Sequence, residues 1–440
     1  MNGISVIGLG KLGLCSAACF AEGGYRVWGV DINEENIRRI NQGDCPIEET
    51  GLVELLSKVS SSLMATSDYD KAISNSGASF IIVPTPSLDD GKFSNAYVED
   101  VLGKIGAALR KKNGYHLVVI TSTVMPGTTE NIARPLLEEA SGKICGKDFG
   151  LVYNPEFIAL GSVIRDFKNP DFLLIGESSS QDGKILEEIY SRTCENTPAY
   201  AHLSPLNAEI AKICLNCYVT TKITFANSLG AICESVPGAD ANQITGAIGL
   251  DSRIGAKYFK TGLGFGGPCF PRDNRAFAAF ARDYGNRAKI SELVDEINEE
   301  QLSRIVHLAK EKLEKGDKVA ILGLSYKPDT PIIEESQAVD IARELFRIGY
   351  RVSVYDPQAM ENTKKEEGDI FEYSDNMEEC LNGSSLCLIS TPWKEFKSIN
   401  ADFLISKMKN PVVIDCWKLL KNIDLAGVEY ILLGEGVASG

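Results

Sequence analysis

No stretch of this 440-residue chain reaches the roughly 18 to 20 uninterrupted apolar residues of a membrane span, so a bilayer-embedded protein is not expected. Basic charge is short as well: 45 Lys and Arg against 60 Asp and Glu leave a formal charge of −15. That balance argues against non-specific binding to nucleic acid or to an anionic membrane. It also means that an anionic substrate must be drawn in by a local basic site. Histidine is nearly missing, at three residues, and no second Cys-x-x-Cys pair stands at zinc-finger spacing, so a metal site lacks ligands. The opening Met1-Asn2-Gly3-Ile4-Ser5-Val6 carries no basic segment and runs straight into a strand, so no signal peptide is expected. Low-complexity tracts and heptad arrays are absent too.

Cysteine, by contrast, is plentiful. Twelve cysteines in a short secreted chain would read as a disulfide scaffold. Here they are spread over a long chain in apolar contexts such as Cys15, Cys19, Cys233 and Cys387, which points to thiols in a reducing cytoplasm. Cys214 and Cys217 form a Cys-x-x-Cys pair, but they lie in a long helical pattern and read as core packing.

Strands alternate with helices from the start. Ile4–Ile7 reads as a buried strand, Leu12–Glu22 as a helix and Tyr25–Val30 as a second strand ending in Asp31. Further apolar strands are expected at Phe80–Val83, Leu117–Ile120 and Phe172–Ile175. This pattern implies a mostly parallel sheet covered on both faces. From Ser204 to Glu300 the pattern turns helical, with long runs at Asn207–Glu234 and Ser291–Glu314. At Lys318 the α/β pattern restarts: Val319–Leu322, a turn at Gly323-Leu324-Ser325, a helix near Ala338–Ile348, then Tyr350–Tyr355 and Asp356. Gly-Tyr-Arg-Val precedes the second strand of both units. The expected fold is therefore α/β, with two doubly wound Rossmann-like domains joined by a long central helix. The expected boundaries are 1–200, 201–300 and 301–440, the central helix being a natural homodimer surface.

Gly8-Leu9-Gly10-Lys11-Leu12-Gly13 follows a strand, opens a helix and precedes Asp31. In that context G-x-G-x-x-G is a dinucleotide fingerprint. Gly8 permits the tight turn, Gly10 lets a pyrophosphate approach the backbone, and Gly13 lets helix and strand pack closely. The helix N-terminus offers N–H donors to phosphate. Asp31 would accept both ribose hydroxyls and repel a 2′-phosphate, so NAD is favoured over NADP; a flavin or an empty Rossmann domain is the alternative. Ser325 stands where Gly10 does, so the second unit is expected to meet a different nucleotide ligand.

The most informative stretch runs Gly262-Leu263-Gly264-Phe265-Gly266-Gly267-Pro268-Cys269-Phe270-Pro271-Arg272-Asp273. Four glycines beside one cysteine serve no obvious packing purpose; they would let backbone amides approach a ligand and leave the thiol accessible. If Pro271 begins a helix, Cys269 sits at its positive end, which favours thiolate. The bland alternative is a glycine loop beside a structural thiol.

Fingerprint, long helix and cysteine loop, in this order, resemble the UDP-glucose/GDP-mannose dehydrogenase family over almost the whole chain. Shared motifs include Pro46-Ile47 with Glu49, Thr85-Pro86-Ser87, Ser122-Thr123, Asn154-Pro155-Glu156-Phe157, Lys212 with Asn216, Arg253-Ile254-Gly255 and Gly323–Thr330. The resemblance implies a four-electron oxidation of a nucleotide sugar's C6 alcohol to the carboxylate with two NAD⁺ in succession. Cys269 would trap the aldehyde as a thiohemiacetal and carry the later thioester, which water hydrolyses. It further implies that Lys212 stabilises an oxyanion, with Asn216 one helical turn on, and that Asp273 moves a proton and holds a water. Thr123 and Glu156 would belong to the same water and proton network. Thr85 and Thr123 would line the NAD site, and Arg253, Phe265, Gly266 and Lys327 the substrate.

Two departures touch the substrate side. Where the family often reads N-P-E-F-L-R-E-G, Ala159 and Leu160 replace an arginine and a glutamate. Where it tends to read D-D-V-R-E-S, Glu334 reverses a charge. UDP-glucose is the leading substrate, since Phe265 and Phe270 look like that branch; other UDP-hexoses, UDP-N-acetylhexosamines and GDP-mannose stay open. A two-electron hydroxyacid dehydrogenase using Lys212, or a non-catalytic nucleotide binder, are the competing classes.

Overall fold

Short runs rich in Val and Ile, bounded by glycine and polar turns, form strands buried on both faces, as parallel sheets under helices require. The computed structural model, which describes residues 2–436, builds two such sheets. One compact unit ends at Cys214 and the other begins at Leu215. In the first, β1 (Gly3–Ile7), β2 (Arg26–Val30), β3 (Leu63–Thr66), β4 (Ala78–Ile81), β5 (Leu117–Ile120), β6 (Gly150–Tyr153), β7 (Phe172–Glu177) and β8 (Ala199–Leu203) lie in the order β3-β2-β1-β4-β5-β6-β7-β8. All neighbours are parallel except β6 and β7, where Val152 faces Glu177. The first six strands keep the order of a doubly wound dinucleotide fold, whose switch point lies between β1 and β4.

β4 ends at Ile81, two residues short of the sequence expectation. The reason is local: the hydroxyl of Ser122 accepts from the Val83 N–H at 2.9 Å and donates to its carbonyl at 2.7 Å, replacing the ladder.

The second unit repeats the plan with β9 (Lys318–Leu322), β10 (Arg351–Tyr355), β11 (Glu372–Tyr373), β12 (Leu386–Ile389), β13 (Val412–Asp415) and β14 (Glu429–Leu432), all parallel, in the order β11-β10-β9-β12-β13-β14. The repeat extends to single bonds. The Gly8 N–H donates to Val30 O and the Gly323 N–H to Tyr355 O, both at 2.8 Å. Gly24 (φ 89°) and Gly349 (φ 102°) take the left-handed conformation that ends the preceding helix in each Gly-Tyr-Arg-Val.

Each sheet carries an apolar cluster on both faces. In the first unit Ile4, Val6, Phe20 and Phe80 belong to one and Ile7, Ile81, Ile120 and Tyr153 to the other. In the second, Val319 and Ile321 separate from Ala320 and Leu322 in the same way. Full burial is worth about 1.5–3 kcal/mol for each large apolar side chain, so the sheets are the rigid part of each unit. The helix Pro205–Glu234, 30 residues long, begins in the first unit and continues into the second. Among the described residues no helix is long and apolar enough to cross a membrane, and no cluster of His, Cys, Asp or Glu could hold a metal ion.

Candidate active site

The fingerprint turn behaves as its spacing implies. A side chain on Gly8 would strike Ile82 O, and one on Gly13 would strike Gly8 O, so both positions need glycine for packing. Gly8 also holds φ 95°. A Cβ on Gly10 would meet only open space, which is the room a pyrophosphate needs. Gly10 caps the helix Lys11–Glu22, which has no side-chain cap and no acid in its first turn. Its N-terminal N–H groups and positive dipole therefore face outward for an anion. Asp31 is oriented by its neighbours: Oδ2 accepts from Leu9 N at 2.6 Å and Oδ1 from Asn33 N at 2.8 Å. The remaining lone pairs of this partly buried carboxylate suit a ribose diol. The residues present fit NAD.

Beside it, the C-terminal ends of β4 and β5 are fastened together. Buried Thr85 donates to the Thr123 carbonyl at 2.7 Å, and Ser122 bonds Val83 as above. The turn that follows is held by Glu209, which is fully buried and accepts from Gly127 N (2.6 Å), Thr129 N (2.8 Å) and Thr129 Oγ1 (2.6 Å).

Lys212, on the same helix as Glu209, is buried. Its amine donates to the Glu156 carbonyl at 2.7 Å and lies 4.6 Å from the centre of the Phe157 ring. The segment carrying Glu156 is anchored at both ends. Asn154 donates through Nδ2 to Leu174 O at 2.9 Å, and Glu49 accepts from Gly161 N and Val163 N at 3.0 and 3.1 Å. Leu160, where the sequence lacks a carboxylate, packs against the apolar core instead. Burial pushes the Glu156 carboxyl up to about 7, against the pull of Lys212.

In the second unit Cys269 is exposed and is the N-cap residue of the helix Phe270–Asp283, with Pro271 in the first turn and no side-chain cap bond. A thiol at an open helix N-terminus is stabilised as thiolate. One turn in, Asp273 is buried, and its Oδ2 accepts from Asn216 Nδ2 at 2.6 Å. Cys217 contacts the Asp273 carbonyl at 3.7 Å, so that member of the Cys-x-x-Cys pair packs against this helix.

The loop before Cys269 corrects the sequence reading of its glycines. Each serves packing. A Cβ on Gly262 would come within 2.6 Å of the Trp417 ring, and one on Gly264 would strike Gln337 and Asn298. On Gly266 it would strike Glu335 O, and on Gly267 it would come within 2.6 Å of the Tyr326 ring. Gly267 also holds φ 82°. The loop backbone is gripped by four carboxamides that sequence reasoning missed. Asn227 bonds Gly262 N (2.9 Å) and Leu263 O (3.2 Å), and Gln301 bonds Gly262 O (2.7 Å). Gln337 accepts from Gly264 N (2.6 Å), while Asn298 bonds both Phe265 N (2.8 Å) and Phe265 O (2.9 Å). Polar residues within helical runs gave no signal, because their partners are remote in sequence.

The other expected substrate residues are spread over this unit. Phe265 is buried, edge-on to Phe270 with ring centres 6.4 Å apart. Lys327 lies 5.8 Å from the centre of the Tyr326 ring that covers Gly267. Arg253 is exposed and paired with Asp251 at 2.7 Å. Glu334 accepts from the Gly267 N–H at 3.0 Å through its carbonyl. Burial raises its carboxyl and nearby Arg272 opposes that.

Comparison with known proteins divides the chain into three segments, the middle one spanning the boundary between the two units. Residues 2–194 match the NAD binding domain of the UDP-glucose/GDP-mannose dehydrogenase family, 206–300 its central domain and 320–422 its UDP binding domain. The chain is 37% identical over 431 residues to UDP-glucose 6-dehydrogenase AglM of Haloferax volcanii, covering 97% of this chain and 99% of that one. It is 38% identical to GDP-mannose 6-dehydrogenase of Pseudomonas putida, covering 80% of each. A solved UDP-glucose dehydrogenase from Pyrobaculum islandicum superposes with a TM-score of 0.89 at 34% identity, covering 100% of this chain and 98% of that one.

Proposed function

Because the chain belongs to the UDP-glucose/GDP-mannose dehydrogenase family, we propose that it oxidises the C6 alcohol of UDP-glucose to the carboxylate, giving UDP-glucuronate. The observation that carries the reaction type is Cys269, an exposed thiol at an uncapped helix N-terminus with Asp273 one turn in. UDP-glucose is preferred over GDP-mannose because a solved UDP-glucose dehydrogenase superposes with a TM-score of 0.89 and a solved GDP-mannose dehydrogenase with 0.55.

Bound at Gly8–Gly13 and Asp31, NAD supplies the hydride acceptor for each two-electron step. Lys212 stabilises the oxygen as it becomes anionic, and Asp273, steadied by Asn216, takes and returns protons. The Cys269 thiolate adds to the aldehyde, so the half-oxidised sugar stays bound. Loss of hydride from that thiohemiacetal leaves a thioester on Cys269. Water then releases the acid and returns the thiol, a step in which the family resemblance gives parts to Thr123, Glu156 and Asp273. Arg253 and Lys327 would serve the substrate's diphosphate or sugar.

The enzyme works as a homodimer through its central helix. Tyr218, Phe225 and Ile232 recur every seventh residue there and are 62%, 56% and 63% exposed, a stripe that a second copy would cover.

Purified protein given NAD⁺ and UDP-glucose should release two NADH for each acid formed, with little release from GDP-mannose or UDP-N-acetylhexosamines. One NADH per product would point to a two-electron enzyme, and silence across the panel would overturn the reading. Cys269→Ser should keep NAD affinity and lose net acid formation by roughly a thousandfold or more. Full activity in that variant would remove the covalent step.

A further inference from the structure

In the first unit, the hydroxyl of Tyr190 stands between two oxygens. It lies 2.6 Å from Oδ1 of Asn154 and 3.1 Å from Oε1 of Glu156. Tyr190 and Asn154 are buried, and Glu156 is partly so. A phenol has one proton to give. The amide of Asn154 is oriented by its other contact, since Nδ2 donates to Leu174 O at 2.9 Å and a carbonyl can only accept. Turning the amide over would set two oxygens against each other there. Oδ1 therefore faces Tyr190, and the shorter contact takes the tyrosine's proton. Were that proton given to Glu156 instead, two oxygens would stand 2.6 Å apart with no hydrogen between them.

The proton in the second contact has to come from the other side. We propose that Glu156 is held as a neutral carboxylic acid that donates to the Tyr190 oxygen, which makes Tyr190 the positioning residue for this proton. The functional consequence rests on the dehydrogenase reading. A neutral Glu156 leaves the Lys212 charge uncompensated by that carboxyl, and so fully effective on a developing oxyanion. For the hydrolysis step Glu156 becomes a base only after shedding the proton, so that step gains rate as pH rises through the Glu156 midpoint.

The surroundings agree. Lys212, on the long helix, bonds the Glu156 backbone carbonyl and favours the carboxylate anion by its charge alone. Cys19 on the helix Lys11–Glu22 and Cys194 after the helix Ser180–Thr193 face the same carboxyl. Burial pushes both thiols up, so they bring no competing anion. Burial brings the Glu156 midpoint to about 7 even against a bond donated by Tyr190 and the charge of Lys212, both of which favour the anion; the bond reversed as proposed adds to burial instead.

The test needs no substrate. Infrared difference spectra of the full chain against Glu156→Gln should show a protonated-carboxyl band at mildly acid pH that fades with a midpoint at or above about 7. Tyr190→Phe should lower that midpoint by about one unit, the worth of one hydrogen bond to the neutral form. Glu156→Gln should melt like the wild type, because its amide N–H gives Tyr190 the same bond. A midpoint that rises in Tyr190→Phe, or no such band in the wild type, overturns the proposal. A band that behaves as expected in a protein that oxidises no nucleotide sugar leaves the proton assignment standing and sinks the dehydrogenase reading. Normal oxidation without the band does the reverse.

Discussion

A glycine can be present for its φ, for the ligand it admits or for the neighbour it lets in. At Gly8, Gly10 and Gly13 the spacing separates these, because strand, turn and helix are adjacent in sequence and their geometry is fixed. In the cysteine loop it does not. Gln337, which crowds Gly264, is 73 residues away, so no local pattern reveals that the loop is packed tightly against its own chain. The thiol itself was legible, since Pro271 two residues on marks the helix start that makes Cys269 an N-cap. Gly262→Ala should therefore act through packing. A methyl within 2.6 Å of the Trp417 ring forces the loop or the indole to move, at a cost of about 1–3 kcal/mol. Denaturant titration measures this, and pairing the change with Trp417→Leu should cost less than the two separate losses combined. A stability unchanged by Gly262→Ala would mean that the ring shifts freely and the loop is not clamped there.

Elements were read best where one periodicity sufficed. The 30-residue helix and the strands on either side of the first switch point follow from apolar spacing alone, whereas β12, at the second switch point, was not read. What holds one element to the next was not legible, because a carboxamide on a helix has the same composition signal whether it faces water or a buried loop. Asn298, on the helix Lys289–Lys310, satisfies both the N–H and the carbonyl of Phe265. Asn298→Ala leaves two partly buried backbone groups without that partner, which should cost about 2–4 kcal/mol. The same loss should reach the chemistry, since Phe265 is four residues from the thiol. We expect the reactivity of Cys269 toward a small alkylating agent to change in Asn298→Ala while NAD affinity, carried by the first unit, stays the same. If thiol reactivity is unmoved, the carboxamide grip stabilises the fold without placing the nucleophile.

Across the whole molecule the two doubly wound units use one carboxylate for two purposes. Asp31 and Asp356 sit at matching strand ends, and each accepts from the leucine of its glycine turn, at 2.6 and 2.7 Å. There the likeness stops. Asp356 is buried, and it also accepts from Ser325 N, Ser325 Oγ and Trp393 Nε1 through Oδ2 and from Gln358 N and Ala359 N through Oδ1. Ser325, the residue that marked the second fingerprint as degraded, thus fills the capacity that a ribose would use, with Trp393 beside it. Asp31 keeps that capacity. An amide at position 356 must turn an NH₂ toward at least two N–H donors, and leaving such buried donors without an acceptor should cost about 2–5 kcal/mol. An amide at position 31 faces one donor on each side and partial exposure to water, so its cost should be about 1 kcal/mol or less. Asp31→Asn should therefore weaken NAD binding by roughly tenfold or more with little change in melting, through loss of acceptors for the ribose diol. Asp356→Asn should lower stability sharply and leave the NAD dissociation constant of the folded fraction unchanged. Calorimetric titration and thermal melts on the two variants separate these outcomes. If Asp356→Asn weakened NAD binding as much as Asp31→Asn, the second unit would itself be holding dinucleotide, and its saturated carboxylate would have to open to do so.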